Sequence, residues 1–230
     1  MRKSMKVLLG KGDSKAKAMK DEEEHYDLEA QLIFQRLNGE LERNENGERN
    51  VYGNFRALDP IYEDPLTGAK IYVGNKSAAE NLSLLNKMNI HRIVNCTSNQ
   101  KLKFEKNKDF KYYRFTIALW EQLEIKSDEE TLDFVRPMLD FVDKSLAEGE
   151  SVLVHCLAGA HRAGTTGVLL LMAKMKYNST RATELAIKLR PLINPFGTLL
   201  KFLYRVDKAV DRLNSTGKLS KGDAWFRSKA

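Results

Sequence analysis

The stretch SVLVHC-LAGAHRAG-TTGVLLLMAKMKY, residues 151–177, constrains the fold more than any other part of this 230-residue chain. SVLVHC is short, apolar and β-branched, and reads as a buried strand. TTGVLLLMAKMKY is continuously apolar over a longer span and reads as a helix. The loop between them must therefore carry the chain from a strand's carboxyl end directly into a helix start. Such a junction presents backbone N–H groups that the helix cannot satisfy, and the helix's positive pole points the same way. Gly159 and Gly164 let the backbone curl until several N–H groups converge on one anion. Cys156 stands at the first position of the loop, where that field favours thiolate over thiol. Arg162, six residues on, has a planar fork suited to two phosphate oxygens. A cysteine after an apolar strand is ordinarily a small buried hydrophobe, and an arginine at a helix start a solvated charge. Here strand, adjacent His155, internal glycine and apolar helix coincide, which favours a phosphate cradle with a nucleophile at its base.

The remaining pattern divides the chain into an arm with a helix (1–50), a body (51–213) and a tail (214–230). Residues 1–24 mix Lys, Asp and Glu with few apolar groups, and their composition predicts a flexible arm. The run YDLEAQLIFQRLNGEL places Ala30, Ile33, Phe34, Leu37 and Leu41 on one stripe and predicts an amphipathic helix over about 26–41. That helix needs something to pack on: the body, or a docking partner or second copy. ENGERN then breaks it. Two extended runs flank a Pro and Gly turn in IYEDPLTGAKIYVGN. In SAAENLSLLNKMN, Ser77 and Glu80 have capping-box spacing. HRIVNCT and FKYYRFTIALW read as strands, and a helix follows around Pro137, with Ser127 and Glu130 placed to cap it. NSTRATELAIKLRPL predicts another helix, and the final one is expected to start at Asn194 with Pro195 in first position. The tail holds only Trp225 and Phe226 as sticky residues. Alternating strands and helices indicate an α/β domain with a mostly parallel central sheet flanked by helices.

Composition excludes some functions. No apolar stretch approaches a membrane span, and the basic start lacks a secretory apolar core, although a mitochondrial address stays open. Cys96 and Cys156, the only cysteines, do not make a disulfide framework, which points to a reducing compartment: the cytoplasm, with the nucleus as alternative. The net charge of +7 is spread along the chain without the dense stripe that nucleic-acid binding wants.

HCLAGAHRAG resembles the His-Cys-x5-Arg signature loop of the cysteine-based protein tyrosine phosphatase superfamily, and IYVGNKSAAENLSLLNKMNIHRIVNCT and RPLINPFGTLLKFL are similar to segments of its dual-specificity branch. The resemblance covers about Val51 to Leu213. It implies hydrolysis of phosphomonoesters on phosphorylated proteins without metal or cofactor, Cys156 being the nucleophile and Arg162 the phosphate ligand. Amides of Leu157, Ala158, Gly159, Ala160, His161 and Arg162 would line the cradle, with His155 orienting the loop and lowering the thiol pKa. His161 would shape the rim. The loop interior LAGAH has no lysine, which lowers the expectation of a phosphoinositide substrate.

Two departures from that pattern bear on turnover. Where the family has Ser or Thr after the arginine, this chain has Ala163; Thr165 or Thr166 could substitute, although capping and helix packing are their usual work. The family's general-acid aspartate is also missing after the preceding strand, where the chain reads ALWEQLEIKSD. Glu121 is the first candidate acid and Glu124 the second, while Asp128 reads as first-turn helix chemistry. A phosphoprotein-binding module with little turnover is therefore the alternative to a phosphatase. Cys96 is either a resolving thiol for Cys156 or a buried structural residue.

Overall fold

A computed structural model describes residues 2–40 and 56–218, with side chains for 14–35 and 56–218. Leu37 and Leu41 of the apolar stripe, the break at ENGERN, and Trp225 and Phe226 lie outside the residues whose side chains are described. The elements run α1 (Arg2–Glu40), β1 (Leu58–Glu63), β2 (Lys70–Gly74), α2 (Lys76–Ala79), α3 (Leu82–Lys87), β3 (Ile90–Asn95) and β4 (Lys111–Arg114). A 3-10 turn (Ile117–Leu123) leads to α4 (Asp128–Ala147), β5 (Ser151–His155), α5 (Arg162–Met175), α6 (Ser179–Leu189) and α7 (Gly197–Ser215).

The five strands form one sheet in the order β1-β2-β5-β3-β4, parallel except for the β1–β2 hairpin at one edge. β5 is central and buried at every position, which explains its unbroken apolar run. One core packs α4, α5, α6 and α7 against one face of the sheet; a smaller one packs Ala78, Ala79, Leu85 and Phe110 against the other. In the register, His155 lies beside Gly74 of β2 and Asn95 of β3, so three strands deliver their carboxyl ends to the same point.

Four local expectations change. The helix expected from Tyr26 already runs from Arg2, so the segment read as an arm is helical. SAAENLSLLNKMN forms two short helices capped by Asn75 and Asn81, whose side chains accept from Ala78 N and Leu84 N; Ser77 lies inside the first. In FKYYRFTIALW only Lys111–Arg114 forms a strand; Phe115 N–H still donates to the Asn95 carbonyl, and the chain then tightens into the 3-10 turn. The last helix starts at Gly197, not at Asn194, whose backbone is committed to the loop after β5. By contrast, Ser127 and Glu130 form the expected capping box, and α4 accommodates Pro137 within its length.

Candidate active site

The loop from β5 to α5 is held open from outside by its carbonyls. Lys76 N–H donates to the Leu157 carbonyl at 3.1 Å and Asn194 N–H to that of Ala160 at 3.1 Å. Arg190 takes the two between them, Nε donating to Gly159 O at 3.0 Å and Nη2 to Ala158 O at 3.3 Å. Each planar peptide opposes its C=O to the next residue's N–H, so four carbonyls drawn outward turn the amides inward. The Gly159 N–H accordingly points at Cys156 Sγ, 3.3 Å away. Gly159 is obligatory here: its φ is +71°, and a Cβ would stand 2.5 Å from the Gly74 carbonyl oxygen.

Arg162 opens α5 and lies under the loop at 1% exposure, with Cys156 at 2%. Burial pulls the Arg162 guanidinium down, but the charges of Cys156, Glu23 and Asp27 outweigh it and hold the group above its ordinary value. Its Nη1 donates to Glu23 and its Nη2 to Asp27, while Nε has no hydrogen-bond partner among the described residues. His155 is buried beneath the cysteine. Burial pulls its ring down to about 4, against a backbone hydrogen bond to Cys156 and with the Arg114 and Arg162 charges adding to the fall. The ring is thus neutral at physiological pH. His161 is buried, Nδ1 donating to the Asn194 carbonyl at 2.8 Å and the ring edge-on to Phe196.

The departures at Ala163 and the missing aspartate have structural counterparts. Thr165 Oγ1 donates to the His161 carbonyl at 2.7 Å and Thr166 Oγ1 to that of Arg162 at 2.9 Å, so both hydroxyls are spent within α5. Ala163 is fully buried and has no hydroxyl to offer. Glu121 lies exposed on the 3-10 turn and Glu124 exposed just beyond it, with φ +54°. Asp128 takes both nitrogens of a fork from Arg212 at 2.6 Å, and that hydrogen-bonded pairing holds its carboxyl below the ordinary range. Cys96 and Cys156 are both free. Cys96 donates to Thr166 Oγ1 at 3.3 Å, and burial pushes its thiol up, away from the thiolate a resolving cysteine needs.

Sequence reasoning did not anticipate Arg190, Asn194, Glu23 or Asp27 as parts of this site. Arg190 and Asn194 stand in RPLINPFGTLLKFL, which carried the resemblance, and that was their available signal. Glu23 and Asp27 had a fainter one: they are four residues apart, on the face that also carries Tyr26 and Ala30.

Fold and loop together define the class: an α/β domain whose central strand runs into a loop with Cys156 at its start and a helix at its end. The family model for the dual specificity phosphatase catalytic domain matches residues 71–209, and the chain belongs to that family. It is 34% identical over 153 residues to human dual specificity protein phosphatase 9, covering 64% of this chain and 37% of that protein. Human dual specificity protein phosphatase 6 is 31% identical over 138 residues, 57% of this chain and 34% of its own length. The chain thus spans about a third of these relatives. Among solved structures, human DUSP28 superposes with a TM-score of 0.53 at 15% identity, covering 68% of this chain and 97% of its own. The leucine rich repeat and phosphatase domain containing protein from Entamoeba histolytica gives 0.52 at 19% identity, with 69% and 95% covered. Among the described residues no helix is long and apolar enough to cross a membrane.

Proposed function

We propose that this chain is a cysteine-dependent phosphoprotein phosphatase. The observation that carries the reading is the Gly159 N–H aimed at Cys156 Sγ in a loop whose four carbonyls are tied outward, with the Arg162 guanidinium beside it. Inward amides and a guanidinium stabilise the equatorial oxygens of a transferring phosphoryl group. Cys156 sulfur attacks phosphorus, forming an S–P bond as the P–O bond to the substrate breaks and the leaving oxygen takes a proton. Water then attacks phosphorus, the S–P bond breaks, and inorganic phosphate leaves with the thiolate restored.

Tyr, Ser and Thr phosphates are substrates of this reading, phosphotyrosine foremost. With Glu121 and Glu124 exposed and Asp128 engaged by Arg212, protonation of the leaving oxygen is weakly provided. Loss of general acid catalysis costs about 10²–10⁴-fold, and alkoxide leaving groups feel it more than phenolate. The test is turnover of an aryl phosphate and of twin phosphotyrosine and phosphoserine peptides. Turnover abolished in Cys156→Ser and faster on the phosphotyrosine peptide supports the reading; turnover surviving in Cys156→Ser defeats it. A fall in rate toward high pH that disappears in Glu121→Gln or Glu124→Gln would locate the donor, since a general acid acts only while protonated.

A second reading, a phosphoprotein-binding module with little turnover, is favoured by one observation: no hydroxyl serves the sulfur at Ala163, and those of Thr165 and Thr166 are committed to carbonyls. Phosphopeptide binding without phosphate release would establish it.

A further inference from the structure

The cradle is not open. Cys156 and Arg162 are almost wholly buried, and what covers the loop is helix α1, more than a hundred residues away in sequence. Its inner face runs Glu23, Tyr26, Asp27, Ala30, Ile33 and Phe34, a helical stripe of three- and four-residue steps. Glu23 and Asp27 each take one arm of the Arg162 fork. The second oxygen of each is also held: Ser98 N–H donates to Glu23 Oε1 at 3.2 Å and Asn99 Nδ2 to Asp27 Oδ2 at 3.3 Å. Glu23, a carboxylate at 3% exposure, is a costly group to bury without such partners. Below this pair, Ala30 clusters with Ala158 and Ala160 of the loop itself, and Ile33, Phe34, Leu157 and Leu192 pack around that cluster. Tyr26 fixes the helix sideways, its hydroxyl 2.9 Å from Thr198 Oγ1 and its ring against Phe196, while Thr198 Oγ1 reaches Glu22 at 2.7 Å.

We propose that α1 is a built-in occupant of the phosphate cradle, its Glu23 and Asp27 carboxylates standing on Arg162 where two oxygens of a phosphomonoester would bind, so that the closed chain inhibits itself and an oxyanion competes with the helix. Deepening the phosphatase reading, this rests on the cradle being a phosphate site. The chemistry of the two occupants matches: each brings negatively charged oxygens to one planar fork, and both cannot hold it together. Directly over the loop the helix contact is close, with Ala30 clustered with Ala158 and Ala160, which excludes a bulky phosphorylated side chain while the helix stays. Closure in about nine molecules of ten would weaken apparent ligand affinity about tenfold.

The experiment uses the full-length chain and tungstate as the oxyanion, with two independent openings of the helix. Glu23→Gln with Asp27→Asn removes the competing charge; Tyr26→Ala removes the anchor and leaves both carboxylates in place. Tungstate affinity by calorimetry and kcat/KM on an aryl phosphate are expected to rise about tenfold or more in both variants. Saturating tungstate is expected to raise amide hydrogen exchange across residues 14–35 of the unmodified chain. Unchanged affinity in both variants, or unchanged exchange at saturation, would overturn the proposal. So would a fall in turnover with loss of the high-pH limb of the rate profile, which would make a helix carboxylate the proton donor instead of an inhibitor. If tungstate displaces the helix but no variant turns over the aryl phosphate, the phosphatase reading fails and the occupancy stands. If the unmodified chain turns over and neither opening changes it, the reverse holds.

Discussion

Two arginines associated with the same loop are each 1% exposed, and their partners differ in kind. Arg190 is surrounded by fixed acceptors: the carbonyls of Ala158, Gly159 and Arg56, and the Asp59 carboxylate at 2.5 Å. Arg162 is held by two carboxylates from a distant helix and keeps one nitrogen without a hydrogen-bond partner among the described residues. Backbone carbonyls cannot leave unless the fold is lost. Side chains on a helix laid over the domain can exchange for a ligand. One arginine therefore shapes the loop permanently, and the other, under the proposed reading, is available to an anion that displaces the helix.

That contrast breaks first at Arg190. Arg190→Met strands the buried carbonyls of Ala158 and Gly159 and leaves the partly buried Asp59 carboxylate without its partner, and urea unfolding should show a loss of about 3–5 kcal/mol together with loss of tungstate binding. A variant of near-native stability that still bound tungstate would remove Arg190 from its structural role. Next is Gly159→Ala, which forces a side chain into a positive φ and against the Gly74 carbonyl. The expected cost is about 3–4 kcal/mol, read by the same unfolding curves.

Beneath the loop, His155 sharpens the comparison through pH. Its folded-state pKa is lowered from the ordinary 6.5 to about 4, so between those values the unfolded chain takes up a proton that the native ring refuses. Stability attributable to this group is full above pH 6.5 and declines as pH falls toward 4, by up to roughly 3 kcal/mol. The difference between wild type and His155→Gln, followed by urea unfolding from pH 7 to 4, should change with that sign; a difference independent of pH would mean the ring titrates alike in the folded and unfolded chain. Smallest is Ala163→Ser. A hydroxyl beside the sulfur is worth about one hydrogen bond, so kcat should rise roughly 3- to 10-fold without loss of stability, and any burst of leaving group should shrink.

The legible parts of the fold were those governed by neighbours in sequence. The β-branched run at β5, the turn between β1 and β2, and the Ser127 capping box all follow from contacts within a few residues. Cys156 and Arg162 were legible as a pair because strand, glycine and helix frame them within one short stretch. The losses have a common cause in long-range partners. Asn194 has the composition of a helix cap, but its N–H goes to Ala160 and its carbonyl to His161, leaving Gly197 to begin the helix. The acidic run ending in Asp27 resembles a solvated face until Arg162 is placed opposite it; no periodicity announces that a carboxylate such as Glu23 will be buried. Arg190 likewise looks like a helix-end cation until its loop partners are known.

The central claim is that Cys156 sulfur accepts a phosphoryl group in the cradle. Rapid acid quenching of the full-length chain with a ³²P-labelled phosphotyrosine peptide tests it most directly, run in parallel on the Glu23→Gln, Asp27→Asn double variant. The account predicts label bound to the chain on the peptide containing Cys156, approaching one per molecule in the double variant, and none in Cys156→Ser. Release of labelled phosphate with no label ever bound at Cys156, or label retained by Cys156→Ser, would contradict it.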